Sequence, residues 1–238
     1  MNTVIKPSNL RAFVINIMDR CRKHSLMVSL NIKVDMTKVL EKKKITGFSF
    51  YTILSKAISD VIKANPRYKI INSVFIKRYI RSRLIVFEHH HFSYTFPKVF
   101  QGEEMPITYV INNVDQLSAE EIDKRIQQAS KMPIEDFPSY PSLKIMSRIP
   151  DFFQKILLFI YDFLNDPKER DGSICINNIG KTFVNSFIAE SSRTVIFSFP
   201  GIDQNNESLL TLTINHYVID GKLTCAFADD LKKKLESL

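Results

Sequence analysis

The sequence predicts an α+β fold, a mixed β-sheet covered by helices, and three stretches carry that expectation. In residues 28–34, Val28, Leu30, Ile32 and Val34 alternate with Ser29, Asn31 and Lys33, so one strand face packs inward and the other meets solvent or a ligand. Residues 49–65 set Tyr51, Leu54, Ile58 and Val61 in a helical stripe that Asn65-Pro66 closes. Residues 209–214 alternate bulky apolar side chains with threonines, and residues 222–238 return to helical spacing with Leu223, Phe227, Leu231 and Leu235.

In chain order, residues 10–21 form a helix that can present Phe13, Ile17 and Met18 on one face. The strand at 28–34 follows, then a short helix after Asp35 and the long one at 49–65. Residues 74–100 are β-rich and contain Leu84-Ile85-Val86-Phe87 and His89-His90-His91. A strand candidate at 107–110 precedes Ser118-Ala119-Glu120-Glu121, a capping-box pattern that opens a helix to about Ser130. Residues 149–164 carry Phe152, Phe153, Ile156, Phe159, Ile160 and Phe163 on a helix too short to cross a membrane. Core or subunit-interface packing is expected of it, with docking at a membrane surface as the alternative. Strands at 172–180, 193–199 and 209–214 complete the sheet, with a polar turn at 201–207.

A chain of 238 residues without a linker, repeat or low-complexity tract is read as one domain, residues 1–238. Residues 1–10 lack the apolar core of a signal peptide, and a cytoplasmic location is expected. The six glycines are isolated, so no Walker loop or dinucleotide fingerprint is present, and no G-x-S-x-G elbow occurs. Cys21, Cys175 and Cys225 lie far apart, as reduced thiols rather than a disulfide framework. Of the three consecutive histidines only His89 and His91 would share a strand face, and with no third ligand in view no metal site is expected.

The chemistry concentrates in Asn215-His216-Tyr217-Val218-Ile219-Asp220-Gly221, where a strand stops and a helix starts. Histidine is the side chain that titrates nearest neutrality, so at such a junction it can take a proton from an alcohol, thiol or amine and return it. Asp220 can cap the following helix or orient the turn through an ion pair, and Gly221 permits backbone angles that a Cβ resists. The plainer reading makes His216 a hydrogen-bonded structural residue.

Written HxxxDG, this segment resembles the active-site motif of chloramphenicol acetyltransferases and of the catalytic domain of the dihydrolipoyl acyltransferases of 2-oxo-acid dehydrogenase complexes. Residues 8–75 resemble the start of those domains through the first helix, the phrase His24-Ser25-Leu26-Met27-Val28-Ser29-Leu30-Asn31-Ile32 and the helix at 49–65. Similar phrases recur at Asn113-Val114-Asp115-Gln116-Leu117-Ser118 and at Gly172-Ser173-Ile174-Cys175-Ile176-Asn177-Asn178-Ile179-Gly180, so the resemblance covers most of the chain in the family's order.

The resemblance implies a chloramphenicol acetyltransferase-like fold and a homotrimer with active sites between subunits; the dehydrogenase-complex enzymes usually carry lipoyl and subunit-binding modules as well, and no stretch of this sequence reads as either. It implies acyl-coenzyme A as co-substrate, no permanently bound cofactor, and a small-molecule acceptor that attacks the thioester directly. In that scheme His216 is the general base, Asp220 its structural support and Arg11 the partner of Asp220. The family places a serine or threonine hydroxyl where this chain has Asn177, whose amide can still donate to an oxyanion. A second departure is Asn215-His216-Tyr217, where the dihydrolipoyl enzymes read Asp-His-Arg, and it bears on the acceptor. A ligand-binding descendant without activity is the alternative. The net charge of +8 calls for an anionic partner: coenzyme A phosphates, an acidic acyl carrier protein, nucleic acid or an acidic surface. Lys77, Arg78, Arg81 and Arg83 with Tyr79 form a basic patch, but no nucleic-acid module surrounds it, and neither nucleic acid nor membrane is expected as a partner.

Overall fold

The computed structural model describes residues 7–76, 82–164, 172–178, 184, 186–189, 191 and 193–238. Helix α1 (Asn9–His24) is N-capped by Ser8, whose hydroxyl accepts from the Arg11 N–H at 3.1 Å. Strand β1 (Met27–Asp35) leads to α2 (Thr37–Thr46), which ends where Gly47 adopts φ 73°, a left-handed stop that suits glycine. Helix α3 (Phe50–Ala64) starts at its Ser49 cap and stops at Asn65, after which a 3-10 turn (Pro66–Ile71) begins on proline. Strands β2 (Ser73–Ile76) and β3 (Arg83–Val86) pair with each other. Strands β4 (Phe92–Phe100) and β5 (Glu103–Ile111) form a hairpin whose turn places Gln101 and Gly102 at φ 53° and 80°.

The capping box predicted at 118–121 is present in both halves and opens α4 (Ala119–Lys131). A 3-10 turn (Ile134–Asp136) and the short α5 (Tyr140–Met146) come next, neither of which the sequence reading anticipated. Helix α6 (Asp151–Leu164) precedes β6 (Ile174–Asn178), β7 (Val195–Phe199), β8 (Glu207–Asn215) and α7 (Gly221–Glu236). The expected mixed sheet is realised as six strands in the order β1-β8-β7-β6-β4-β5. The β4/β6 and β6/β7 pairs are parallel and the others antiparallel.

Strand alternation gives the sheet two different faces. Leu210, Leu212 and Ile214 of β8, Val195 and Phe197 of β7 and Ile174 and Ile176 of β6 join Leu54 and Ile58 of α3 and Phe227 and Leu231 of α7 in one core. Leu231 is fully buried there, and truncation to alanine would cost about 2–5 kcal/mol. The opposite face is polar. Its register sets Asn31, Thr211, Ser198 and Asn177 side by side across four strands.

Two sequence expectations are corrected here. Of the two packings expected for α6, the core is not the one found: Phe152, Phe153, Ile156, Leu157, Phe159 and Ile160 are exposed in the single chain, which does not bear on the subunit-interface packing. Among the described side chains of α6 the one completely buried is Gln154, whose amide donates to the carbonyls of Asn9, Met146 and Ile149, while Asn16 of α1 donates to its oxygen at 3.1 Å. A polar anchor thus ties α6 to α1 and turns its apolar flanks outward. The histidine triplet lies in the bend before β4, not on a strand. Among the described residues no helix is long and apolar enough to cross a membrane. Lys77, Arg78, Tyr79 and Arg81 of the basic patch lie outside the described residues.

Candidate functional site

Strand β8 ends at Asn215, and the turn that follows is pinned by that residue. Its side-chain oxygen accepts from the backbone N–H groups of Leu26 at 3.2 Å and Tyr217 at 3.1 Å. Its backbone N–H donates to the Thr194 carbonyl at 2.9 Å, and its own carbonyl accepts from Val218 at 2.9 Å and Ile219 at 3.2 Å. The His216 N–H donates to the Leu26 carbonyl at 2.7 Å, which ties the turn to the start of β1. A short amide side chain that reaches backbone two residues on is suited to this work. Asn215 is the residue the sequence reading undervalued; its signal was an asparagine at a strand end directly before the histidine.

The His216 ring is exposed, and its Nδ1 lies 3.0 Å from the Ile219 carbonyl oxygen. A carbonyl can only accept, so Nδ1 carries the proton and Nε2 presents a lone pair. Ile219 is itself buried in the core and holds that carbonyl still. The arrangement leaves one imidazole nitrogen oriented as a proton acceptor at the surface end of the sheet. Leu26, Val28 and Tyr217 expose apolar surface beside it, with the Tyr217 ring 5.5 Å from that of Phe75.

Asp220 occupies the N-cap position of α7, but its side chain makes no capping bond; its backbone carbonyl accepts from the Thr224 N–H at 3.1 Å and hydroxyl at 2.9 Å. The expected ion pair with Arg11 is replaced by another. The Arg11 guanidinium meets Glu103 Oε2 at 3.3 Å, and Glu103 belongs to β5, at the sheet edge opposite β1. Gly221 starts α7 outside the left-handed region and faces open space, so no strained backbone angle requires glycine there. Within one chain the support for His216 therefore comes from the Ile219 carbonyl and the Asn215 clamp.

Asn177 lies on the polar face of β6. Its Oδ1 accepts from the Thr95 hydroxyl at 2.7 Å and from the Cys175 thiol at 3.4 Å. Both Nδ2 hydrogens are without a partner among the described residues. Its register neighbour Ser198 is fully buried, and no hydrogen bond of its hydroxyl is found among the described residues. Burial raises the Cys175 thiol, which stays a protonated, packed group rather than a nucleophile. The fold does not bring Asn177 and His216 together. Asn177 pairs with Ser198 and Ser198 with Thr211, so His216 lies five residues along and two strands away. At ~3.4 Å per residue and ~4.8 Å per strand the separation is ~20 Å.

The histidine triplet is held by Asp115, which accepts from the His90 backbone N–H at 2.8 Å and lies 3.2 Å from His89 Nδ1. His90 Nδ1 meets the Ser59 hydroxyl at 2.8 Å, and burial pushes this imidazole down to about 4. The triplet organises the loop before β4. Among the described residues no group of three or more His, Cys, Asp or Glu side chains is placed to hold a metal ion.

No protein-family model matches the sequence, and comparison with curated proteins gives no significant match. Solved structures do match. A truncated catalytic core of the 2-oxoacid dehydrogenase multienzyme complex from Thermoplasma acidophilum aligns with 99% of this chain and 98% of its own, at 17% identity and a TM-score of 0.68. A probable dihydrolipoamide acetyltransferase from Listeria monocytogenes aligns over 99% and 95%, at 15% identity and 0.64. A chloramphenicol acetyltransferase aligns over 99% and 100%, at 12% identity and 0.53. The chain has the α+β fold of these acyltransferase cores.

Proposed function

We propose that the protein is a coenzyme A-dependent acyltransferase with His216 as general base. The observation that carries this reading is the bond from Nδ1 to the Ile219 carbonyl, which fixes the tautomer and leaves Nε2 free to accept a proton at an exposed strand end. In the reaction, Nε2 removes the proton from a thiol, hydroxyl or amine acceptor as it attacks the thioester carbonyl of acyl-coenzyme A. The tetrahedral intermediate then expels the coenzyme A thiolate, which takes the proton back from the imidazolium. The oxyanion needs a donor, and the two uncommitted hydrogens of Asn177 Nδ2 suit that task.

Because ~20 Å separates His216 and Asn177 in one chain, the reading requires two copies, His216 from one and Asn177 from the next. A homotrimer with sites between subunits meets that requirement, and the exposed Leu26, Val28 and Tyr217 beside His216 offer apolar surface for such a contact. Acyl-coenzyme A is a co-substrate here and not a resident cofactor, and the cationic chain suits its phosphates.

The test is mass spectrometry of products from purified protein incubated with an acyl-coenzyme A panel and mixed thiol, alcohol and amine acceptors. Transfer should occur, and His216→Ala should lower it roughly 10²–10⁴-fold with the fold intact. Normal turnover by that variant would remove His216 from the mechanism. Coenzyme A binding without turnover would favour the second reading, a ligand-binding descendant, which Asn177 in place of a hydroxyl supports.

A further inference from the structure

We propose that Thr95 is a positioning residue that makes Asn177 a competent oxyanion donor in this chain. An asparagine amide has two nearly equal orientations, and only one of them points hydrogens away from its neighbours. Here the amide is anchored from β4, the strand that pairs with β6: the Thr95 hydroxyl donates into Asn177 Oδ1 at 2.7 Å. The Cys175 thiol approaches the same oxygen at 3.4 Å, and burial keeps that thiol protonated and able to donate. A hydroxyl can also accept, so Thr95 by itself would tolerate a turned amide; the thiol, a poor acceptor, favours the oxygen on its side, and the Thr95 bond holds the amide in that orientation. Thr95 is in turn fixed through its backbone, where its carbonyl accepts from the Tyr51 phenol at 3.2 Å. A hydrogen bond into the amide oxygen also draws charge from the nitrogen, which makes its N–H groups better donors.

A serine at position 177 would need no such partner, because a hydroxyl rotates freely to whichever acceptor is offered. Thr95 is therefore the companion of the substitution at 177: the chain traded one self-orienting donor for a donor with an orienting neighbour. This inference rests on the acyl-transfer reading for its catalytic meaning, but the contact itself can be tested separately.

The experiment compares Thr95→Ser, Thr95→Val, Asn177→Ser and the Thr95→Val/Asn177→Ser double variant by two measurements. The first is kcat and KM with acetyl-coenzyme A and the best acceptor of the panel. Thr95→Val should lower kcat about 5- to 10-fold with little change in KM, the loss of one hydrogen bond's orientation. Thr95→Ser should retain the rate, and in the Asn177→Ser background Thr95→Val should have no effect. The second is the side-chain amide signal of Asn177 in protein labelled with ¹⁵N-asparagine, identified by its absence from Asn177→Ser. That signal should shift or broaden in Thr95→Val and persist in Thr95→Ser. An unchanged signal in Thr95→Val, or an equal rate loss from Thr95→Val in both backgrounds, overturns the positioning role. A signal that shifts in Thr95→Val, while the wild-type protein transfers no acyl group, upholds the contact and overturns the acyl-transfer reading instead.

Discussion

Two variants that are each inactive should restore activity when they assemble together. The sheet register puts His216 five residues and two strands from Asn177, ~20 Å within a chain, whereas a base and an oxyanion donor that serve one reacting carbonyl must both lie within ~3 Å of the reacting atoms. The strands between them are hydrogen-bonded throughout, so no local motion closes that gap. On the proposed acyl-transfer reading, each site draws His216 from one copy and Asn177 from a neighbour. In a cyclic trimer of His216→Ala and Asn177→Ala chains, every mixed ring contains one site in which the intact residues face each other, so the mixed protein should run at about one third of the wild-type rate. The two variants are coexpressed with different tags, the doubly tagged species is isolated, and release of the coenzyme A thiol is followed with the best acceptor. A rate no higher than that of either homo-oligomer would refute the shared site, and with it the pairing of these two residues.

Asn215→Ala leaves the N–H groups of Leu26 and Tyr217 unpaired at the base of the turn, so it should lower stability by about 1–3 kcal/mol and activity more than stability alone explains; chemical denaturation beside kinetics separates the two. Arg11→Ala and Asp220→Asn should act additively, whereas Arg11→Ala and Glu103→Gln should show a coupling of about 0.2–1 kcal/mol in a double-mutant cycle, because Arg11 pairs with Glu103 at an exposed site. Burial holds His90 down to about 4, so between pH 6.5 and 4 the unfolded chain binds a proton that the folded chain refuses. Stability should be full above pH 6.5 and fall by up to about 3 kcal/mol toward pH 4, and His90→Asn, which keeps a partner for Ser59, should flatten that slope in urea titrations.

What could be read from the sequence were features governed by near neighbours. The capping box at Ser118 and the stripe of Phe227, Leu231 and Leu235 depend on spacings of a few residues and are present, and the alternation of β1 holds from Leu30 to Val34 but fails at Val28, which is exposed. The strand-to-helix setting of His216 was legible for the same reason. The partner of Arg11 was not, because β5 reaches it only through the hairpin, with a hydrogen bond from Ser8 and an ion pair from Arg11 to Glu103, which no local pattern encodes. Nor was the exposure of α6. Its apolar side chains outnumber its polar ones, which suits either the core or a subunit interface; a single buried glutamine with four hydrogen-bond partners excludes the core for most of them. The pairing of Thr95 with Asn177 likewise joins residues far apart in the chain through a parallel strand pair.

The proton on His216 Nδ1 is held by a main-chain oxygen, that of Ile219, rather than by another side chain. A carbonyl is supplied by every residue type, so the tautomer of the base survives any exchange at 219 that keeps the backbone in place. The side chains at 217 and 218, in the intervening turn, are then not needed to hold that proton. Exchange at 217 can therefore alter the surface beside the imidazole, here an exposed tyrosine, without disturbing the ring's tautomer one residue away.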